Sequence, residues 1–335
     1  MPTVSVLVPC YNSERHLEEC LRSVLGQTYP DLEVVCVDDG STDGTLSILQ
    51  STGARDDRIR IVRQTNQGAA EARRTALRTA TGEFVCAVDS DDWIDQDCIL
   101  RALEKAESEG ADIVLFALKH WSGGQVVRHQ TLDGLPWPMS GAKALEYTLD
   151  GWKIHGLGLF RRSVFERAYE EFDQYRLLPF NADDFVARVA LHAARKVERV
   201  SASYHYRAHP NATTLKVDGQ WLGYLSALEA TGGFLAKVGE SDRLLVPYIS
   251  DCLKHSNYLL SVWADARVEM SEDLRREGIR RVLAFWSRLP KRGLLRYARE
   301  KRLPPREQIR LLLIAAGLYP LVYGFASHIR SRRFA

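Results

Sequence analysis

Three carboxylates stand within four residues in Asp89-Ser90-Asp91-Asp92, directly after the apolar run Phe84-Val85-Cys86-Ala87-Val88. Acids this close repel one another unless a cation lies among them. A hard divalent ion such as Mg²⁺ or Mn²⁺ takes oxygen ligands and bridges them to phosphates. A second cluster, Asp38, Asp39 and Asp43, follows the apolar run Leu32 to Val37 inside a Gly/Ser/Thr turn. Solvated turns and helix caps use the same residue types, so spacing alone leaves both readings open.

The surrounding elements sharpen the choice. Val4 to Cys10 reads as an apolar strand stopped by Pro9. Ser13 is the predicted N-cap of a helix whose face is Leu17, Cys20, Leu21 and Val24. Further strands are predicted over Leu32 to Val37, Arg58 to Arg63, Phe84 to Val88 and Asp112 to Leu118. Helices are predicted between them over Thr45 to Ser51, Ala69 to Ala80 and Asp95 to Glu109. Alternation at this spacing implies an α/β fold with a parallel, doubly wound sheet and right-handed crossovers. Ligands of such sheets bind outside the carboxyl ends of the strands, and both acidic clusters fall there.

Four signatures follow one another in order over roughly the first hundred residues. They are Val4 to Asn12, Val37-Asp38-Asp39-Gly40-Ser41-Thr42-Asp43, Asn66-Gln67-Gly68 with Ala72-Arg73, and Gly82-Glu83-Phe84 through Asp92. The set resembles a family 2 glycosyltransferase. The resemblance implies a GT-A fold, which is Rossmann-like and mostly parallel, and an inverting enzyme that takes a sugar from a nucleotide-sugar donor.

It also implies roles. Pro9, Tyr11 and Asp39 hold the nucleobase; the carboxylate accepts the N3–H of a pyrimidine, which favours UDP. Arg73 faces the ribose or phosphates, and Arg207 faces the diphosphate. Asp91 binds Mn²⁺ or Mg²⁺, with Asp89 beside it or on the ribose and His209 as a further ligand. Phe180 to Val186 stands where the family carries a Glu-Asp pair. Asp184 is therefore the expected general base and Asp183 the alternative; here the first acid is Asp, a departure from the family. Trp93 and the stretch Trp152 to Gly156 are expected along the acceptor cleft. Helix capping by Asp39 and Asp92, and core packing by the tryptophans, are the structural alternatives.

Lys and Arg total 45 against 43 Asp and Glu, a net charge of +2, so no nucleic-acid partner is expected. The six cysteines form no C-x-x-C pair and fall in apolar stretches, as reduced thiols of a cytoplasmic protein do. No leader is expected ahead of the strand at Val4.

After Thr214 strand patterns give way to helical ones, over Gln220 to Lys237, Leu244 to Asp265, Ser271 to Ser287 and Pro305 to Ser327. The expected division is a catalytic domain, 1–214, with a donor half 1–118 and an acceptor half 119–214, and a helical region, 215–335. From Lys291 onward 11 Lys/Arg face 2 Glu, a charge of +9. The apolar run Leu311 to Ala326 is shorter than the roughly 20 residues that span a bilayer. The tail 303–335 is therefore expected to make a peripheral contact with the inner face of the cell membrane; packing on the protein or a homodimer contact is the alternative.

The resemblance further implies glycan or lipid-linked acceptors of cell-surface polysaccharide or glycolipid synthesis. Processive synthases of the family carry Q-x-x-R-W, which is absent, so single-sugar transfer is expected. Two rivals remain. A metal-dependent nucleotidyltransferase would place a basic Gly-rich loop where Pro9-Cys10-Tyr11-Asn12 stands. A non-catalytic nucleotide-sugar-binding module would have no need of the acids at 91 and 184.

Overall fold

Apolar runs that bury on both faces set the centre of the molecule. In this computed structural model, which describes residues 4–175, 182–209, 219–265 and 268–319, all seven residues of β1 (Val4–Cys10) are buried. β2 (Leu32–Asp38) and β4 (Phe84–Ala87) pair with it in parallel, and β3 (Ile59–Arg63) pairs with β2. The remaining strands are β5 (Trp93–Ile94), β6 (Ile113–Ser122), β7 (Gln125–Gln130), β8 (Gly158–Arg161) and β9 (Val197–Ala208). The sheet has nine strands in the order β3-β2-β1-β4-β8-β6-β9-β5, with β7 on β6.

Helices α1 (Leu17–Leu25), α2 (Thr45–Gly53), α3 (Ala69–Thr79), α4 (Cys98–Glu109), α5 (Gly141–Leu149), α6 (Arg162–Gln174) and α7 (Ala182–Ala193) connect the strands. The apolar faces of α1 and α4 join β1, β2, β4, β6 and β9 in one core. This is a curled, mostly parallel GT-A sheet of the Rossmann type. Three strands run against the rest: β8, antiparallel between β4 and β6, β5 on β9 and β7 on β6. Two antiparallel pairings in succession leave β6 pointing the same way as β4, and β9 is parallel to β6. The ends of β1, β2, β4 and β9 therefore share one edge.

Several local expectations are corrected. Ser13 does not cap α1; His16 holds that position, and Ser13 Oγ instead lies 2.6 Å from Ser90 Oγ. The helix expected from Asp95 begins at Cys98, because Trp93–Ile94 form β5 against β9 and Asp95 turns back to β9.

Contacts divide the chain into two units, 1–148 with 152–216, and 149–151 with 217–335. The second unit is helical: a 3₁₀ turn (Gly219–Leu222), then α8 (Gly223–Lys237), α9 (Leu245–Ala264), α10 (Glu272–Arg288), α11 (Lys291–Glu300) and α12 (Pro305–Ala315). α9 is its core. Gly278 of α10 lies so close to it that an added Cβ would stand 2.3 Å from the Trp263 indole. The sequence did not foretell α11, and the helix expected to run to Ser327 ends at Ala315, with residues past 319 outside the described set. Among the described residues no helix is long and apolar enough to cross a membrane.

Candidate active site

The loops after β1 and β2 are laced together. Asn12 takes a left-handed conformation (φ 48°), and its Oδ1 accepts the Thr42 N–H at 2.8 Å. Asp38 accepts the Ser41 N–H and Asp43 accepts the Thr45 N–H, the turn-forming bonds expected of short acids. Pro9 is buried within β1, whereas Tyr11 is 50% exposed at the strand end.

Asp39 is buried. Its carboxylate accepts from Gln64 Nε2 (2.8 Å), the Gln67 N–H (2.9 Å) and the Gly68 N–H (2.8 Å). It thus orders the loop that opens α3 rather than capping α2. Gly40 makes the approach feasible: its φ is +74°, and a Cβ there would lie 3.0 Å from Asn66 N.

Beyond β4 the chain turns sharply, with the Asp92 N–H bonded to the Asp89 carbonyl at 3.0 Å. The buried hydroxyl of Tyr204, on β9, donates to Asp92 Oδ2 (2.8 Å) and accepts from the Asp89 N–H (3.1 Å). Asp92 Oδ1 takes the Arg207 N–H at 2.7 Å. Asp92 therefore fastens the acidic turn to β9 instead of capping the next helix. Burial, then the charges of Asp91 and Asp89, push its carboxyl well above the ordinary range.

Two side chains of this turn remain partly open, Asp89 and Asp91. Arg73, buried on α3, donates to Asp89 Oδ1 at 2.6 Å and lies 3.7 Å from Asp183 Oδ2 on α7. Burial alone would lower the affinity of Arg73 for its proton; the charges of Asp89 and Asp183 more than reverse this and raise it. One guanidinium thus links the acidic turn to the first turn of α7. Asp184 follows, half-buried, and Phe180 and Asn181 of the same motif lie outside the described residues.

Asp91 Oδ2 lies 2.9 Å from His209 Nε2, and the His16 ring sits 5.0 Å from that of His209. His16 Nε2 is buried with no partner; burial, then Arg207 and His209, lower its proton affinity against the pull of Asp91. Among the described residues no group of three or more His, Cys, Asp or Glu stands ready-made for a metal. One carboxylate and one imidazole with donor atoms this close still fit Mn²⁺ or Mg²⁺, which take one or two protein groups and complete their shells with phosphate and water.

Arg207 does not reach freely toward ligand. Its Nη2 pairs with Glu19 at 2.5 Å, its Nε donates to the Asp91 carbonyl at 2.9 Å, and its guanidinium lies 4.4 Å from the Trp93 ring. Trp93 stacks in turn on His205 at 4.9 Å. The Trp121 indole N–H donates to His205 Nδ1, so Nε2 carries the proton of the neutral ring and donates to Asp95 at 2.8 Å. That bond, with one from the Ser203 N–H, brings the Asp95 carboxyl down to about 2. Trp152 is stacked under Arg188. The expected site residues Pro9, Tyr11, Asp39, Arg73, Asp89, Asp91, Asp183, Arg207 and His209 thus gather at one sheet edge and on the helices facing it. Sequence reasoning missed Tyr204 and His16 as supports and took Asp92 for a helix cap.

A family model described as glycosyl transferase family 2 matches residues 5–168. Residues 5–168 are thus a glycosyl transferase family 2 domain. The matched segment holds Tyr11, Asp39, Arg73, Asp89 and Asp91; Asp183, Asp184, Arg207 and His209 lie beyond it. Among relatives, the uncharacterized glycosyltransferase EpsJ of Bacillus subtilis is 33% identical over 231 residues, 64% of this chain and 63% of that protein. The poly(ribitol-phosphate) beta-glucosyltransferase of Bacillus spizizenii is 32% identical over 207 residues, 61% of this chain and 31% of that protein. These matches span less than two thirds of either relative. In fold, the chain resembles S. aureus TarS residues 1–349, solved with UDP-GlcNAc, with a TM-score of 0.67 over 97% of this chain and 92% of that one at 21% identity.

Proposed function

We propose that this chain is an inverting, non-processive glycosyltransferase that moves one sugar from a UDP-sugar to a hydroxyl of a glycan or lipid-linked acceptor on the cytoplasmic side of the membrane. One observation carries the reading. A partly open acid pair, Asp89 and Asp91, stands between a histidine, His209, and a buried arginine, Arg73, that also meets the first turn of α7. The UDP-GlcNAc bound by TarS, on the same fold, supports the choice of donor.

In this reading Tyr11 stacks on the base, and Asp39 both receives it and orders the Gln67–Gly68 loop. Asp91 and His209 would hold Mn²⁺ or Mg²⁺, which when bound stabilises negative charge on the departing diphosphate. Asp89 and Arg73 face the ribose and phosphates. Arg207, fixed by Glu19 and Trp93, presents positive charge from the far side of the acidic turn. Asp184, at the second position of the acid pair that opens α7, is taken as the base, with Asp183, 3.7 Å from Arg73, as the alternative. Asp184 takes the proton from the acceptor hydroxyl; the oxygen bonds to the anomeric carbon as the bond to phosphate breaks, and the electron pair leaves on the nucleoside diphosphate. Attack from the face opposite the leaving group inverts the anomeric centre. The acceptor would approach over residues 119–214.

A thermal-shift screen of nucleotide sugars with and without Mn²⁺ tests the donor site, because a ligand of the native state raises its melting temperature. Stabilisation by UDP-sugars only with metal is expected; no stabilisation by any nucleotide sugar sinks the proposal. The anomeric configuration of the product, read by NMR, decides inversion.

A further inference from the structure

Nine large hydrophobic side chains are exposed among the described residues, and four of them, Leu295, Ile309, Leu312 and Leu318, fall in one short stretch of the helical unit. The two helices there are two-sided. α11 buries Gly293 and Leu294, so close to α9 that a Cβ on Gly293 would lie 2.8 Å from Ile249 Cγ1. Its other side exposes Lys291, Arg292, Leu295, Arg296 and Arg299. α12 buries Leu311 and Ile314 and exposes Arg306, Ile309 and Leu312; the last two, three residues apart, share a face.

Between Lys291 and Tyr319 there are 8 Lys/Arg and 2 Glu, a net charge of +6. Arg292, Arg296 and Arg310 are paired with Asp242, Glu300 and Glu307, whereas Lys291, Arg299, Lys301, Arg302 and Arg306 have no ion-pair partner among the described residues.

We propose that the exposed faces of α11 and α12 dock on an anionic lipid bilayer. Arginines and lysines with aliphatic side chains among them suit a headgroup layer, where the apolar groups enter the acyl boundary and the cations meet lipid phosphates. A soluble polyanion would satisfy the charges but leave Leu295, Ile309 and Leu312 in water. Neither helix is long enough to span, so the contact is peripheral. This inference stands apart from the donor-site reading and gives such an enzyme a route to acceptors carried on lipid.

The test is flotation of the full chain with vesicles of phosphatidylcholine alone or with about one third phosphatidylglycerol, at low and raised salt. Binding is expected only to the anionic vesicles and is expected to weaken with salt. The double change Arg302→Glu, Arg306→Glu should cut it roughly tenfold or more. The double change Ile309→Asp, Leu312→Asp should do the same through lost apolar insertion. The melting temperature and far-UV circular dichroism, read on the same samples, confirm folding and are expected to be unchanged in both variants. Equal binding to uncharged vesicles, no binding to either, or indifference to both double changes overturns the proposal. So does self-association that Ile309→Asp, Leu312→Asp abolishes, which would assign the face to a second copy. Soluble polyphosphate binding that matches vesicle binding and ignores the apolar pair also overturns it.

Discussion

Tyr204→Phe isolates what holds the acidic turn in place. The phenol ring would stay in its buried slot, and only the hydroxyl that bridges the Asp89 N–H and the Asp92 carboxylate would go. Losing one partner of buried polar groups costs about 1–3 kcal/mol. For a chain of this size that corresponds to a melting temperature lower by roughly 1–4 °C. The same loss frees the turn on which Asp91 meets His209. If about 1.4 kcal/mol of it reaches the cation site, Mn²⁺ affinity in the presence of UDP falls about tenfold. Calorimetric or EPR titration of Mn²⁺, paired with differential scanning fluorimetry, reads both effects. A lower melting temperature with unchanged Mn²⁺ affinity would show that something other than Tyr204 sets the turn. No change in either would refute the bridge itself.

Three further outcomes are expected. Asp91→Asn should weaken Mn²⁺-dependent UDP binding at least about tenfold, whereas Asp184→Asn should spare binding and cut turnover by about 10² to 10⁴; turnover retained in Asp184→Asn would move the base to Asp183. His155 is buried, and burial brings its folded-state value to about 3 from the ordinary 6.5. The folded state thus prefers the neutral ring, so its stabilisation is whole above pH 6.5 and drains as pH falls toward 3, by up to about 1.4 kcal/mol per pH unit. Urea midpoints across that range should show the slope, and His155→Leu should flatten it. Gly158→Ala should cost about 3 kcal/mol or more, because its Cβ would sit 2.3 Å from the Val114 carbonyl oxygen in the neighbouring strand; an unchanged urea midpoint would contradict the β6–β8 register.

The sequence disclosed those parts of the molecule whose causes are local. Val4 to Cys10 is a strand because seven buried residues leave no polar face, and Leu32 to Asp38 repeats the pattern with acids at its end. What stayed hidden depends on partners far along the chain. β8 has four residues and exists only because β4 and β6 flank it. β5 has two and is held by β9. Asp92 looked like a helix cap because nothing nearby announces Tyr204. The Arg73–Asp183 contact joins α3 to α7, and no motif encodes such a pairing. α11 is only ten residues long and buries only Gly293 and Leu294, so it contributes little to the core.

All six cysteines are free and buried, five of them in the first unit and Cys252 alone in the second. A thiol reacts only when its surroundings open to reagent. The native chain should therefore resist alkylation, and each modified cysteine should time the opening of its own unit. Mass-resolved labelling under mild denaturant then becomes a two-channel clock, running without any introduced probe, that tells whether the helical unit loosens before the sheet.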